Sequence, residues 1–395
     1  MLGDISDYGK CVTVPVSAIK DDAWVLELED IEKETGRVLK HVTKSVRSIN
    51  GSRHSFSKKQ ILFSKLRTYL NKVLIAPDKG FCTTEIIPIT PQEGIMPEYL
   101  SLVLRSPYFL DYTAQCGYGV KMPRLGTSDA VKAFIPIPPF KEQQRITEVV
   151  DRYIDILDRI QSEKEEISIY VSSCKSVILD LAIHGKLVPQ DHSDEPAIDL
   201  LKRINPNFTP SDNLHYGTEL PDGWQLCHIQ DIASAELGKT LDRLKNTGEE
   251  KSYLCTLNVK WEAFDLSTIK TIRIEASEKE RYAVRPGDLL VCEGGDVGRS
   301  AIWTEQGEIY YQNALHRIRF KTQDTCQEFF LYVLRNYKDR GIIDDVCKGV
   351  TIKHFTGQVL RSLDLPFPPV KEQARIVKTV KAYYNVLDEI VAGLN

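Results

Sequence analysis

The 395-residue sequence lacks most of the signatures that would mark a catalyst, a metalloprotein or a membrane protein. It has nine cysteines, but no C-x-x-C pair and no regular cysteine spacing, which argues against a disulfide frame or a zinc site. With no signal peptide, they read as reduced cytosolic thiols, and the expected location is the cytoplasm. No apolar run reaches the ~20 residues that span a bilayer. The histidines (His41, His54, His184, His192, His215, His228, His316 and His354) are scattered without ligand spacing, so no metal is expected. No Asn-Pro-Pro-aromatic or Asp-Pro-Pro-Tyr motif for amino-group methylation occurs, nor a Gly-x-Gly-x-x-Gly or Walker loop, nor a Gly-x-Ser-x-Gly elbow. Glu249-Glu250-Lys251 contains a Glu-x-Lys fragment, but without an upstream metal-binding Asp it reads as a charged loop, not a nuclease centre. The expectation is a non-catalytic binding protein with no cofactor of its own.

What is present is an ordinary globular composition, 42% hydrophobic and 27% charged, in a chain long enough for two or more domains. A net charge of −4 argues against indiscriminate nucleic-acid binding. The dominant pattern is a duplication. Pro136-Ile137-Pro138-Pro139-Phe140-Lys141-Glu142-Gln143-Gln144-Arg145-Ile146 returns as Pro366-Phe367-Pro368-Pro369-Val370-Lys371-Glu372-Gln373-Ala374-Arg375-Ile376, 230 residues later without a gap. Prolines followed by a first-turn acid predict a helix start at each copy. Beyond the first start, Ile146, Val150, Tyr153, Leu157, Ile160, Lys164, Ile167, Val171, Cys174, Ile178 and Leu181 alternate steps of four and three. That is a coiled-coil seam with one polar interruption, on a helix from Lys141 to about His184 that would be roughly 65 Å long. The second copy continues in phase through Ile376, Val380, Tyr383, Leu387, Ile390 and Leu394. Two ordinary amphipathic helices on separate cores are the blander alternative.

Residues 1–139 read as a mixed α/β domain. Trp24–Leu28 alternates like a half-buried strand, Gln60–Ser64 and Glu85–Ile89 are further strand candidates, and Tyr99–Arg105 looks helical. From Lys40 to Lys79 the basic residues are Lys40, Lys44, Arg47, Arg53, Lys58, Lys59, Lys65, Arg67, Lys72 and Lys79, against a single acid, Asp78. Interleaved with Ser, Thr, Asn and His, such a run suits phosphate and base-edge contacts, although a solvated basic face has the same composition. Residues 140–219 form the long helix, a Gly185/Pro189 stop, a short amphipathic helix within Asp194–Asn205 and a polar linker from Pro206. Residues 220–369 repeat the style of the first domain, and 370–395 are the last helix. Leu289–Cys292 is a strand candidate that runs into Glu293-Gly294-Gly295-Asp296-Val297-Gly298-Arg299. Those glycines suit a tight turn or a close backbone approach to phosphate. The 230-residue register also matches Glu98, Val103, Leu104 and Arg105 with Glu328, Val333, Leu334 and Arg335, and Gly119-Val120 with Gly349-Val350. The whole unit, domain plus helix, is therefore duplicated, with diverged early portions.

Together these features resemble the specificity subunit of type I restriction–modification systems, over nearly the whole chain. The resemblance is carried by the two Pro-x-Pro-Pro-x-x-Glu-Gln starts, Gly185-Lys186-Leu187-Val188-Pro189-Gln190, Asp194-Glu195-Pro196 with Leu200-Leu201, Leu220-Pro221-Asp222-Gly223-Trp224, the 293–299 turn and Leu2-Gly3-Asp4-Ile5. It implies an α+β protein with two target-recognition domains separated by long antiparallel coiled-coil helices under a pseudo-twofold internal repeat. Each domain would read half of a split DNA site, and the helices would fix the spacer. It implies two methyltransferase subunits docked on the helices, using S-adenosylmethionine, and restriction subunits using ATP and Mg²⁺ where present. The first domain departs from the pattern by lacking the Leu-Pro-x-Gly-Trp opening. The last helix can cover only the Lys164–His184 half of the central one, leaving Ile146–Ile160 for a methyltransferase helix or a second copy of the chain.

The residues expected at DNA are Lys44, Arg47, Arg53, Lys58, Lys59, Arg67, Lys72 and Lys121 in the first domain, and Lys239, Arg243, Lys260, Arg299, Lys348 and Lys353 in the second. The loops at Gly117–Lys121 and Lys348–Lys353 are expected to do equivalent work before each helix. Ile146, Val150, Leu157, Ile376, Val380 and Leu387 are expected to carry helix packing and partner docking. A duplicated coiled-coil scaffold without DNA contact, a lone enzyme, and the specificity subunit of a modification-only or other phage-defence complex stay open as alternatives.

Overall fold

The computed structural model describes residues 1–119, 122–210, 220–242, 246–347 and 354–394. The chain divides into two compact units, Met1–Gln161 and Ser162–Asn395, and the boundary falls inside one continuous helix.

The first unit contains strands β1 (Thr13–Pro15), β2 (Val25–Leu26), β3 (Ser52–Phe56), β4 (Ile61–Ser64), β5 (Val73–Ile75), β6 (Gly80–Thr83) and β7 (Ile86–Ile89). They form a four-stranded sheet in the order β1-β3-β6-β2 and a three-stranded sheet in the order β5-β4-β7. β4 and β7 are buried throughout, which is why they read as unbroken apolar runs. The predicted alternation at Trp24–Leu28 is not seen. Trp24, Val25 and Leu26 are all buried, with Trp24 stacked on His41 and edge-on to Phe56, ring centroids 4.6 and 5.3 Å away. Two helices, α1 (Pro97–Arg105) and α2 (Pro107–Cys116), each begin on a proline, whose missing N–H is no loss in a first turn. Leu100, Leu104 and Phe109 from these helices pack on Ile61, Phe63, Ile87 and Ile89. The long helix α3 (Phe140–Ile183) starts here.

The second unit contains β8 (Gln225–His228), β9 (Ala233–Leu237), β10 (Glu249–Leu254), β11 (Lys270–Ile274), β12 (Ala283–Val284), β13 (Leu289–Cys292), β14 (Ser300–Ile302), β15 (Ile309–Tyr311), β16 (Leu315–Phe320) and β17 (Asp364–Phe367). Its helices include α4 (Ala197–Ile204), α5 (Gln327–Asp339) and α6 (Val370–Ala392). The sheets run β11-β10-β15-β12, β14-β13-β16-β9 and β17-β8. Glu249-Glu250-Lys251 begins strand β10 and is not the expected loop. Lys251 reaches Glu308 at 2.8 Å and Glu249 at 3.2 Å, while Lys279 holds Glu249 at 3.0 Å.

The expected duplication of the whole unit extends into the diverged early portions as matching strand pairings. β4 lies antiparallel to both β5 and β7, as β13 does to β14 and β16. β2 pairs in parallel with β6, as β10 does with β15. The helical turn at Leu2–Ile5 has its counterpart at Ile229–Ile232. In the second unit β8 pairs with β17, whereas the matching stretch Phe134–Pro138 of the first forms no strand.

The repeated Gln of the duplicated motif has one job in both copies. The Met96 backbone N–H, at the start of α1, donates to Gln143 Oε1 at 2.9 Å, and Gln143 Nε2 donates to the Pro138 carbonyl at 3.0 Å. The Cys326 N–H, at the start of α5, donates to Gln373 Oε1 at 3.0 Å, and Gln373 Nε2 donates to the Pro368 carbonyl at 2.9 Å. Gln143 and Gln373 are 1% and 0% exposed, so each carboxamide satisfies buried backbone groups that water cannot reach. The two acids differ. Glu142 is exposed, while Glu372 is buried, accepting from Trp224 Nε1 at 3.0 Å and Gln190 Nε2 at 2.8 Å. Burial pushes the Glu372 carboxyl up, partly offset by the Trp224 hydrogen bond and by Arg375, which pairs with Asp194 at 2.7 Å. Gly185, at φ +65°, lies against Pro221 and Trp224, where a Cβ would collide. The separate motifs of the central region thus meet at one joint.

The heptad seam is only partly used. On the Ser162–Ile183 half of α3 the buried residues are Val171, Leu179, Ala182 and Ile183, a face of ordinary helical period, while Cys174 and Leu181 are exposed. α6 meets this half through Tyr384 Oη, which donates to the Lys175 carbonyl at 3.2 Å, and through Lys175 with Asp388 at 2.5 Å. Gln190, just past α3, meets Glu372 at the start of α6, so the two helices run in opposite directions. Ile376 and Val380 are buried in the second unit's main core and Leu387 is half-buried. On the first unit's half of α3, Ile146 and Val150 are half-buried, while Tyr153 and Leu157 are each 64% exposed.

Replacing Gln373 with Ala strands the Cys326 N–H, and urea unfolding should show a loss of about 1–3 kcal/mol. Gln144→Ala, at the exposed neighbour of the first copy, should shift the midpoint by less than ~0.5 kcal/mol.

Candidate nucleic-acid interface

Much of the basic run is held by internal partners. Acids just upstream of it, at Glu27, Glu29 and Asp30, fold back onto it. Arg47 grips the Asp30 carboxylate with both terminal nitrogens and reaches Glu29 at 3.2 Å. Arg53, 11% exposed, pairs with Glu27 at 2.8 Å and donates to the Asn50 carbonyl at 2.9 Å. Lys44 donates to the Ile19 carbonyl at 2.5 Å and sits 3.2 Å from Asp21. Lys72 donates to the Leu28 carbonyl at 2.6 Å, and its burial pulls its pKa down. These four residues hold the long Glu27–Asn50 excursion onto the sheets. They are structural ties, not free donors.

Lys58 and Lys59 are exposed, in the turn from β3 to β4. The register of β3 against β6 pairs Phe56 with Gly80, so Lys79 lies at that same sheet end. Arg67 lies beyond the opposite end of β4, so the exposed members of the basic run divide between two sheet ends.

The Arg67 end carries the more developed surface. Arg67 (φ 50°) and Asn71 (φ 49°) are left-handed residues flanking a tight helical turn at Thr68–Leu70, a conformation that costs side-chain-bearing residues of order 1 kcal/mol each. The turn is held from outside. The Arg67 N–H donates to the Pro123 carbonyl at 2.7 Å, Asn71 Nδ2 to the Arg105 carbonyl at 3.0 Å, and Thr113 Oγ1 to Thr68 Oγ1 at 2.8 Å. Tyr118 and Arg124 exchange backbone hydrogen bonds at 3.0 and 2.9 Å, so the loop before α3 returns beside the turn. Between them they display Tyr69 and Tyr118, each 60% exposed, and Met122. The Arg67 Nε is buried without a hydrogen-bond partner among the described residues. Exposed aromatics beside basic groups on a rigid turn suit base edges and phosphates. Lys121 lies outside the described residues.

The second unit has the same construction with different chemistry. Leu125 N–H donates to the Lys65 carbonyl at 2.9 Å and Lys65 N–H to the Glu85 carbonyl at 3.0 Å. Their counterparts are Phe355 N–H to Glu293 at 2.8 Å and Glu293 N–H to Ala314 at 3.0 Å. The 293–299 turn is thus the equivalent of the Lys65–Lys72 turn. It links two strands, as a plain turn would, but a Cβ added at Gly294 or Gly295 would meet nothing within 4 Å, so its backbone is open to approach. Arg299 is turned inward, donating to the Thr256 carbonyl at 2.8 Å and lying 3.6 Å from Asp296. Lys239, 7% exposed, is paired with Glu278. Lys260 is exposed, 4.0 Å from Asp265. Arg243, Lys348 and Lys353 lie outside the described residues. Lys270 and Arg273, exposed on edge strand β11, were missed by the sequence reading. They line a cavity of about 560 Å³ with Asn246 and Glu250, and isolated charges on a strand of unrecognised extent carry no motif that could have found them.

The sequence profile of the family described as "Type I restriction modification DNA specificity domain" matches residues 30–168 and 221–395, most of both units. The chain belongs to this family. Among curated members, it is 23% identical to the type I restriction enzyme EcoEI specificity subunit of Escherichia coli, covering 80% of this chain and 64% of that one. To the EcoKI specificity subunit of Escherichia coli (strain K12) it is 22% identical, over 78% of this chain and 62% of that one. It therefore spans less than two thirds of the length of these relatives. The HsdS subunit from Thermoanaerobacter tengcongensis shares the fold with a TM-score of 0.55 at 19% identity, covering all of this chain and 89% of that one. A chain described under complex assembly and conformational transition of the type I R-M system aligns at a TM-score of 0.62 and 18% identity, over all of this chain and 93% of that one. In this specificity-domain protein, the family's sheet units carry the turns described above.

Arg47→Ala should cost about 1.5–3 kcal/mol at neutral pH in urea unfolding, as expected for charge-assisted hydrogen bonds to a buried carboxylate. Exposed Lys58→Ala should be near neutral. Burial alone would raise the Asp30 carboxyl, but hydrogen bonds from Arg47 and the Glu27 backbone hold it below the ordinary range. That contribution is full above the unfolded value of ~3.9 and lost as pH falls through the lowered folded one. The gap between wild type and Arg47→Ala should narrow below about pH 4.

Proposed function

We propose that this chain reads a bipartite duplex DNA site as the specificity component of a type I restriction–modification complex. The observation that supports this most is the duplicated construction. Each sheet unit carries an equivalent turn after its central strand, and each is tied to a following helix by the same buried carboxamide. A reader of two short blocks needs that arrangement, with heads whose surfaces differ. We assign residues 1–139 and 220–369 as the target-recognition domains, with 140–219 and 370–395 as the helical regions. The chain itself performs no catalysis and carries no cofactor. Methyltransferase subunits dock on the helices and use S-adenosylmethionine, restriction subunits add ATP- and Mg²⁺-dependent steps, and the complex acts in the cytoplasm. Within the first domain, Arg67 and the Gly117–Arg124 loop are the DNA-facing elements, with Lys58 and Lys59 as backbone contacts.

The test is selection from a randomised duplex pool by the purified chain, alone and with its candidate methyltransferase subunit, at moderate salt. The expected result is two short defined blocks around an undefined spacer. Arg67→Ala should lose ~1–3 kcal/mol on the selected site and relax one position, whereas Lys58→Ala should weaken all sequences alike and lower the salt slope by about one. Binding without any selected sequence would favour a duplicated scaffold, a reading that the internal pairing of Arg47, Arg53 and Lys72 supports.

A further inference from the structure

The equivalent turns of the two units begin with residues of opposite charge. Lys65 and Glu293 occupy the same place by four matching backbone hydrogen bonds, each following the last residue of a central strand and each accepting from the residue that opens the next segment. Neither side chain makes a hydrogen bond among the described residues. The Glu293 carboxylate is 15% exposed, with His316 Nε2 no closer than 4.0 Å, and that nitrogen lies 2.9 Å from the Phe355 carbonyl. Burial pushes its carboxyl up, partly offset by His354. A Cβ added at Gly294 or Gly295, which follow it, would meet nothing within 4 Å among the described residues.

A half-buried carboxylate without a hydrogen bond is costly, and on a DNA-facing turn it also repels phosphate. It becomes favourable when a donor arrives. The donors that duplex DNA offers in its grooves are the exocyclic amino groups of its bases.

We infer that Glu293 is a specificity-determining residue of the second unit, its carboxylate accepting a hydrogen bond from the exocyclic amino group of a base, while Lys65 faces acceptor atoms at the equivalent place in the first. The inference rests on the DNA-reading function proposed above. It makes the two half-sites chemically unlike. The block read by the second unit contains an obligatory amino group at one position, and the block read by the first contains an acceptor such as guanine O6 or N7 there.

The experiment compares wild type with Glu293→Ala and Glu293→Leu, neither of which offers an acceptor, in the full chain with its methyltransferase subunit. Selection is followed by titration of the selected duplex. The thermal midpoint should hold or rise, since no hydrogen bond is removed and a costly half-buried charge is relieved, and Glu293→Leu, which also offers no acceptor, serves if the Ala variant unfolds. Glu293→Ala should lose preference at a single position of one block by about 10- to 100-fold, leaving the other block and the salt slope unaltered. Analogues lacking one amino group identify its source: 2-pyrimidinone for cytosine, purine for adenine, hypoxanthine for guanine. Wild type should lose a similar factor on one of them, and Glu293→Ala should not distinguish that analogue from the natural base. Lys65→Ala should relax one position of the other block. If wild type selects two blocks and both Glu293 variants keep every preference, the assignment of Glu293 is overturned and the DNA-reading function stands. The same holds if Glu293→Ala binds all sequences more tightly by one factor, because the carboxylate then only repels phosphate. If wild type selects nothing, the DNA-reading function itself is overturned.

Discussion

Each long helix is fixed to its sheet unit by one buried carboxamide. A Pro-Pro approach leaves carbonyls without neighbouring N–H groups, and the next helix of the sheet unit begins with an N–H that no intrahelical carbonyl can reach. Gln143 and Gln373 satisfy both needs at once, with the oxygen on the start of α1 or α5 and the nitrogen on the proline carbonyl. Because a carboxamide is planar and both its ends are engaged, it sets the direction in which α3 or α6 leaves the sheet unit. The apolar faces downstream are useful only once that direction is set. In the second unit Glu372, one residue earlier, ties the same helix to Trp224 and Gln190, so the linker strand, the central region and the last helix share a single joint.

The helix starts, the long helix and the strands β4, β7 and β13 were legible because prolines, helical period and unbroken apolar runs leave strong local marks. The duplication of the whole unit was legible too, from the 230-residue register of its later part, but the matching of its individual strands was not. Insertions between strands destroy a constant offset, and backbone hydrogen bonds, unlike side chains, leave no trace in sequence. The strand at Trp24–Leu28 was misread because Glu27 looked like a solvent-facing residue, whereas it is the partner of Arg53. The seam on α3 was overextended because a helix that packs on a broad globular core buries an ordinary helical face, and strict four-three spacing does not follow it at Cys174 or Leu181.

Charge was the least legible feature of the candidate interface. A segment with ten bases and one acid looks unpaired when its own window is counted. Folding brings Glu27, Glu29 and Asp30 into that window from outside it, and the most buried guanidinium groups become internal anchors. What is left at the surface is scattered: Lys58 and Lys59 at one sheet end and Arg67 with two tyrosines at the other on one unit, and Lys260, Lys270, Arg273 and a carboxylate without a hydrogen bond among the described residues on the other. Under the proposed DNA-reading function, a net-acidic protein whose described cations are scattered or internally paired would depend more on hydrogen-bond matching than on phosphate attraction, which favours discrimination over bulk affinity.

The empty space in front of Gly294 has an evolutionary consequence. A Cβ there would meet nothing within 4 Å among the described residues and needs no left-handed backbone, so a side chain can be added without disturbing the strands on either side. The corresponding turn of the first unit is already furnished with side chains and locked by strained residues at both ends. Mutational drift at a single codon can therefore add a new contact to the second head, while the first must exchange one contact for another. Under the proposed DNA-reading function, the two halves of the molecule should explore new targets at different speeds.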